Sequence, residues 1–224
     1  MKRARKAPRT LDLLDWNVGA SRASDDVMKQ LRHAVNQAGR PAAITLHEAW
    51  PYDSAITQAL PDYRMHETSG GFKADDNIIL TRRDKAPAGR FAALRMKLRW
   101  TGPKSPRRFN QPPRTWPVLD IGWRKWRVVS LHNPTRAGNE KARDEGFGRL
   151  VRLAKQRGSK RRGLLIVGDF NGDPRPLAKA IGGEVVKGYH VDHAVVRGAT
   201  GKRVAVLDKH GSDHHPVLYR FTRD

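Results

Sequence analysis

Short apolar runs recur along this chain at strand length, from Leu11–Trp16 to Val217–Phe221, and stretches of helical periodicity are set among them. That interleaving constrains the fold most. Apolar runs bounded by turn residues are strands, and helices placed between them must cover the faces of the sheets those strands build. The remaining runs are Ala42–Leu46, Tyr63–His66, Asn77–Thr81, Trp126–Leu131, Leu164–Val167, Val191–Val196 and Val204–Leu207. From Leu94 to Trp100 the alternation is strict, with Leu94, Met96, Leu98 and Trp100 on one side and Arg95, Lys97 and Arg99 on the other, a half-buried strand with a basic outer face. A helix capped by Ser24 aligns Val27, Leu31, Ala34, Val35 and Ala38, and Gly39 and Pro41 stop it. A short helical turn is expected near Ser54–Leu60, and a second helix over Glu140–Lys155 with Phe147, Leu150, Val151 and Ala154 inward. The expected class is α/β (α+β), arranged as a sandwich. Residues 11–224 form one domain in this reading, behind a basic, disordered arm over residues 1–10.

Charge narrows the partner. Lys and Arg number 44 against 22 Asp and Glu, a formal net charge of +22. Such a field concentrates polyanions, so nucleic acid is the expected partner. The charge is unevenly placed: Lys85–Leu119 holds nine Lys or Arg and no acid, and Gly146–Gly168 holds seven and none. With no cysteine, disulfides, thiolate metal sites and thiol nucleophiles are excluded, and any metal must take carboxylate, amide or imidazole ligands. No stretch approaches the about 18 consecutive apolar residues of a membrane helix, and the basic start lacks the apolar run of a secretory signal. A cytoplasmic monomer without membrane contact or organic cofactor is the expectation.

The carboxylates kept out of those basic stretches stand at strand ends, where chemistry can reach them. Leu164–Asn171 reads as a buried strand that emerges at Gly168 and ends on Asp169 and Asn171, which share one side of extended backbone. An Asp there can orient or deprotonate a water, and an Asn can hold it or a phosphate oxygen; an Asx turn through Asn171-Gly172 and Asp173-Pro174 is the ordinary alternative. Asp213 and His214 precede Pro216 and the last strand, and a histidine near pH 7 can bond a phosphate as a cation or transfer a proton. Asp192 is the one carboxylate of its strand; buried, it needs a partner such as His214. Glu48 directly follows a strand, the place for a hard-metal ligand. Asn17 and His132 also stand at strand ends, where each alone is more often structural.

The order of these pieces resembles the endonuclease/exonuclease/phosphatase superfamily, the fold of DNase I and of exonuclease III-type apurinic endonucleases. The matching segments are Asp15-Trp-Asn-Val18, Leu46-His-Glu48, Asp76-Asn-Ile-Ile-Leu80, Ser130-Leu-His-Asn133, Gly168-Asp-Phe-Asn171, Val191-Asp-His193 and Ser212-Asp-His-His-Pro216. Each is weak; the ordered set, running over nearly the whole chain, is specific. The resemblance implies a DNase I-like, four-layer sandwich of two packed β-sheets flanked by helices, with the site at one mouth. By position it implies that Glu48 binds Mg²⁺ or Mn²⁺ with Asn17 beside it, and that Asp213 supports the metal. Asp169 would activate the attacking water, and Asn171 would hold the phosphate. His214, oriented by Asp192, would stabilise the pentavalent phosphorane, while His132 serves the leaving-group side. The implied activity is a metal-dependent nuclease, with endonucleolytic cleavage of DNA favoured over RNA.

Two departures keep the branch open. Gly19 stands where apurinic endonucleases typically carry an Asp, and the disulfides of secreted DNase I relatives are missing. The Glu that supports the matched His in the DNase I branch has only Asp75 and Asp76 as candidates. A phosphatase or phospholipase of the same fold, or a non-catalytic nucleic-acid-binding protein on this scaffold, are the alternatives. An HNH nuclease is excluded, because no Asn or His follows Pro216. The segment Thr101–Pro117, with five prolines, is expected to be neither helix nor central strand. Its Lys104, Arg107, Arg108 and Arg114 are expected to grip phosphates and Trp116 to stack on a base.

Overall fold

The computed structural model describes residues 10–19, 24–49, 52–66, 77–86, 88–95, 115–121, 125–133, 140–156, 162–209 and 211–223. The N-terminal arm, Asp75, Asp76, Lys104, Arg107, Arg108 and Arg114 lie outside them. Twelve strands and four helices follow in the order β1 (Thr10–Asn17), α1 (Ser24–Gln37), β2 (Ala43–His47), α2 (Asp53–Ala59), β3 (Tyr63–His66), β4 (Ile78–Arg82), β5 (Ala88–Arg95), β6 (Thr115–Ile121), β7 (Trp126–His132), α3 (Glu140–Lys155), β8 (Gly163–Asp169), α4 (Arg175–Ile181), β9 (Glu184–Tyr189), β10 (Asp192–Arg197), β11 (Thr200–Val206) and β12 (Val217–Thr222). They form two six-stranded sheets, β11-β12-β1-β2-β4-β3 and β5-β6-β7-β8-β10-β9. Each sheet is mixed, with one parallel pair at its centre: β1 with β2 in the first, β7 with β8 in the second.

Alternation along the central strands builds the layers. Leu14, Trp16, Ile44 and Leu46 pack under Val27, Leu31 and Val35 of α1 and Ile56 of α2. Leu164, Ile166, Val129 and Leu131 pack under Leu150 and Ala154 of α3 and Leu177 and Ile181 of α4. The opposite faces of the same strands, with Leu11, Leu13, Ala43, Val128, Leu165, Val167, Ala194 and Val217, meet between the sheets. Three apolar layers thus separate helix, sheet, sheet and helix, the four-layer α/β sandwich. Burying this many aliphatic side chains, at about 25 cal/mol per Å² of apolar surface, is the main drive for the arrangement. No described helix is long and apolar enough to cross a membrane.

Three elements differ from the sequence reading. The Pro-rich segment ends inside a strand, since β6 starts at Thr115. Pro117 is accommodated because it faces Ala93 of β5, while the pairing of β6 with β7 begins one residue later at Val118. Trp116, expected to stack on a base, is instead fully buried under α3, and its Nε1 donates to the His132 carbonyl at 3.2 Å. That ring is core and has no face to offer a nucleotide. Helix α4 and strand β9 were not expected; the Asp173-Pro174 turn continues straight into a seven-residue helix. Of the strand expected over Leu94–Trp100, only Leu94 and Arg95, the end of β5, are described.

Candidate active site

The inter-sheet layer changes from apolar to polar toward one end of the strands, and period-two alternation dictates which residues stand there. On β1, Leu11 and Leu13 face the seam, so Asp15 and Asn17 do too; on β2 the seam-facing series runs Ala43, Thr45, His47. On β7 it runs Val128, Ser130, His132, and on β8 Leu165, Val167, Asp169. Asp192 opens β10 on the same face as Ala194 and Val196, directly opposite Asp169. One mouth of the sandwich therefore collects Asn17, His132, Asp169 and Asp192, all buried. Glu48, one residue past β2, joins them with its side chain 36% exposed.

The contacts form one continuous line. Asn17 Nδ2 donates to Glu48 Oε1 at 3.2 Å, which orients that carboxylate. His132 Nε2 lies 3.7 Å from Glu48 Oε1 and 3.7 Å from Asp169 Oδ2, beyond direct hydrogen bonds but close enough for one bridging oxygen or ion. Asp169 Oδ2 lies 4.0 Å from His214 Nε2, and His214 Nδ1 meets Asp192 Oδ2 at 2.8 Å. Asn171 donates its backbone N–H to Asp169 Oδ1 at 2.8 Å and its amide to the Asn133 carbonyl at 2.8 Å. Glu48 and Asn171 both sit at positive φ, +52° and +44°, the kind of costly backbone that persists where a site demands it. Asp213 is apart: its carboxylate is 86% exposed, and its one described ion-pair contact is His214 Nε2 at 4.0 Å.

The electrostatics separate an acid from a base. Burial, with the charge of Asp192 adding, raises Asp169 to about 6 against the pull of His214. Burial opposes charge on His214, but the hydrogen bond and charge of Asp192, helped by Asp169, outweigh it and raise His214 to about 9. At neutral pH Asp169 is a carboxylate poised near the working pH and His214 is a cation. Asp192 Oδ1 is buried with no hydrogen-bond partner, and burial raises the Asp192 pKa against the hydrogen bond and charge of His214.

The loop bearing His214 is held to β1. Ser212 Oγ donates to the Asn17 carbonyl at 2.7 Å and accepts the His214 N–H at 3.1 Å, while Trp16 Nε1 donates to the His214 carbonyl at 3.2 Å. Beneath the mouth lies a network the sequence reading missed. His47 Nε2 meets Asp15 Oδ1 at 2.8 Å, its Nδ1 meets Asn77 Oδ1 at 2.9 Å, and Thr45 Oγ1 donates to Asp15 at 2.5 Å. Burial opposes charge on His47, but the charge and hydrogen bond of Asp15, helped by the bond to Asn77, outweigh it and raise its pKa. The ring presses on Gly168, where a Cβ would stand 2.7 Å from His47 Cε1 and 1.9 Å from the Leu131 carbonyl; with φ at +143° only glycine fits before Asp169. The signal was in the alternation: seam-facing Asp15 is in register with Thr45 on β2, beside seam-facing His47.

The donor set fits a divalent cation of the hard, oxygen-seeking kind. The mouth offers carboxylate and amide oxygens with imidazole and no thiolate, a half-buried carboxylate in Glu48, and an unpartnered buried oxygen on Asp192. Asp169 and Asp192 present carboxylate oxygens within 4.8 Å of each other and of His214, but His214 as a cation has no lone pair to give a metal.

Two sheets under paired helices, with carboxylates and histidines converging where the sheets open, define the phosphodiesterase-type sandwich. The chain belongs to the Endonuclease/Exonuclease/phosphatase family, whose sequence profile matches residues 16–214. Members of that family are generally hydrolases acting on phosphodiester bonds, and enzymes of this fold commonly use divalent metals. Among solved structures, humanized TDP2 of D. rerio superposes with a TM-score of 0.71 at 15% identity, covering 96% of this chain and 100% of that one. TDP2 of D. rerio complexed with single-strand DNA product gives 0.69 at 13% identity, over 95% and 99% of the two chains. The human Nocturnin catalytic domain with bound sulfate gives 0.68 at 12% identity, over 97% and 96%. No curated protein matches the sequence significantly.

Proposed function

We propose that the protein is a divalent-metal-dependent nuclease that hydrolyses phosphodiesters of DNA by attack of an activated water, cutting within the strand. The observation that carries this reading is the convergence in one mouth of a buried carboxylate at Asp169 and, 4.0 Å away, a histidine, His214, held by Asp192 at 2.8 Å. Glu48, steadied by Asn17, would hold Mg²⁺ or Mn²⁺. When bound, the cation supplies charge compensation at the phosphate. Asp169 takes the proton of the attacking water, and the backbone bond from Asn171 fixes the carboxylate for that task. The His214 cation stabilises the negative charge that builds on the phosphorane oxygens. His132, between Glu48 and Asp169, serves the leaving oxygen. Asp213 is proposed to add only an outer negative charge, in keeping with its exposure.

A polymeric substrate is favoured by the +22 charge, which a small phosphomonoester does not need, and DNA by the likeness to a fold captured with single-strand DNA product. Retention of every carboxylate at the mouth weighs against a non-catalytic scaffold. Titration of hydrolysis with Mg²⁺ tests the reading: Glu48→Gln should raise the metal concentration for half-maximal rate by about tenfold or more, the loss of one charged oxygen ligand. Full activity in excess EDTA would overturn it.

A further inference from the structure

The polar seam under the mouth contains one buried side chain for which the proposed chemistry has no task. The last paired row of the central strands is Asn17 beside His47 in one sheet and His132 beside Asp169 in the other. Asn17, His132 and Asp169 act at the mouth, whereas His47 is fully buried and turned back along the strands toward Asp15. The groups proposed to act come from opposite sheets: Asn17 and Glu48 from the ends of β1 and β2, and His132, Asp169 and Asp192 from β7, β8 and β10. What stands between the sheets at this level therefore sets the gap across which Glu48 and Asp169 face each other.

His47 is that spacer. Its ring is held at both nitrogens, Nε2 at 2.8 Å from Asp15 Oδ1 and Nδ1 at 2.9 Å from Asn77 Oδ1. Ser130 Oγ, on the facing sheet, lies 3.4 Å from the same Nδ1, and the His132 ring stands edge-on with its centroid 6.1 Å away. The Cε1–Nε2 edge presses on the backbone of Gly168, where a Cβ would come within 2.7 and 2.8 Å of those two atoms. One ring thus touches the residue before Asp169 and is joined through the chain to Glu48. The arrangement is costly as core: Asp15 is fully buried, and its Oδ2 has no hydrogen-bond partner. An aliphatic side chain would fill the seam at lower cost, as Ala43 and Val167 do nearby; a ring bonded at both nitrogens gives direction instead.

We propose that His47 is a positioning residue: locked by Asp15 and Asn77, it spaces the two sheets and fixes Glu48 and Asp169 at the separation that hydrolysis requires. The inference rests on the reading of the mouth as a phosphodiesterase and adds to it the means by which its two halves are kept in register. His47, fully buried, meets neither substrate nor metal. A displacement of about 1 Å at reacting groups can cost about a hundredfold in rate, so the spacer acts on turnover rather than on substrate affinity.

Steady-state hydrolysis of bis(p-nitrophenyl) phosphate in Mg²⁺ tests this, with each variant shown to be folded under assay conditions. His47→Ala should lower kcat by about tenfold or more while KM stays within about threefold. His47→Gln, whose amide reaches about as far as the ring Nε2 and can donate to Asp15, should restore kcat to within about threefold of the wild type. Val128→Ala, which opens the same seam on β7 two residues below Ser130, should lower the urea midpoint and leave kcat and KM unchanged. Where His47→Ala does not fold, Asn77→Ala takes its place: it releases one side of the ring while Asp15 stays paired, and should lower kcat by about threefold or more. Wild-type kcat in the folded variant, a loss carried by KM, or an equal loss of kcat in His47→Gln or Val128→Ala would overturn the spacer. Crystal structures of the metal-free wild type and variant read the gap without turnover: the separation of the Glu48 and Asp169 carboxylates should differ by about 0.5 Å or more, and equal separations would overturn the proposal. An inactive wild type would overturn the catalytic reading, while the two structures would still decide the spacer.

Discussion

Replacing Asp169 by Asn should stabilise the metal-free protein at neutral pH while removing its activity. The carboxyl is 2% exposed, and burial with the charge of Asp192 lifts its pKa from 3.8 to about 6. A raised pKa means that the folded chain holds this proton more tightly than the unfolded chain does. The stability it supplies is complete below 3.8 and is lost as pH rises through about 6, so at pH 7.5 the ionised carboxylate opposes folding. At about 1.4 kcal/mol for each tenfold change in proton affinity, the gap between 3.8 and about 6 amounts to a cost on the order of 3 kcal/mol. Asparagine keeps the shape and still accepts the Asn171 N–H, so a gain of about 1–3 kcal/mol is expected. Urea unfolding of both proteins in EDTA measures it. The advantage of the variant should grow between pH 4.5 and 7.5 and level off above about pH 7, while turnover falls by about a hundredfold or more. A variant less stable than the wild type at pH 7.5, or an advantage that ignores pH, would refute the assignment of Asp169 as a destabilised, functional carboxylate.

Hydrolysis should follow a bell-shaped pH profile, rising as Asp169 loses its proton through about 6 and falling as His214 loses its own through about 9; a rate constant flat from pH 5 to 10 would remove both groups from the chemistry. Changing Arg107, Arg108 and Arg114 together to Ala should lower the magnitude of the log–log salt slope of nucleic-acid binding by roughly 2–3, at about 0.9 for each phosphate left unneutralised on duplex and about 0.7 on single strand. An unchanged slope would detach that segment from the polymer.

Much of this architecture was legible because burial writes itself into sequence as period. The runs Leu11–Trp16, Leu164–Val167 and Val217–Phe221 became β1, β8 and β12, and the periodicity over Glu140–Lys155 became α3 with the same bounds. The site was legible where chemistry-bearing residues punctuate those runs: Asn17, Glu48, His132, Asp169 and Asp192 stand at strand ends, and the sandwich brings strand ends to one mouth. What stayed hidden depends on tertiary partners. Trp116 and Pro117 sit among prolines and basic residues, and only pairing with β5 and the cover of α3 make them core. Seven residues of α4 and the Gly188-interrupted β9 are too short to show a period. Asp15 and His47 sit in matched segments, yet their pairing is a fact of parallel register between β1 and β2, and sequence separation conceals it.

The most direct test of the account is cleavage itself, measured on supercoiled plasmid, linear duplex, single-stranded DNA and RNA in Mg²⁺, Mn²⁺ or EDTA, with Asp169→Ala purified identically beside the wild type. The account predicts metal-dependent conversion of supercoiled plasmid to nicked and linear forms by the wild type, abolished by EDTA and reduced about a hundredfold or more in the variant. Cleavage of equal strength by Asp169→Ala, or no cleavage of any of the four polymers by the wild type in either metal, would contradict it.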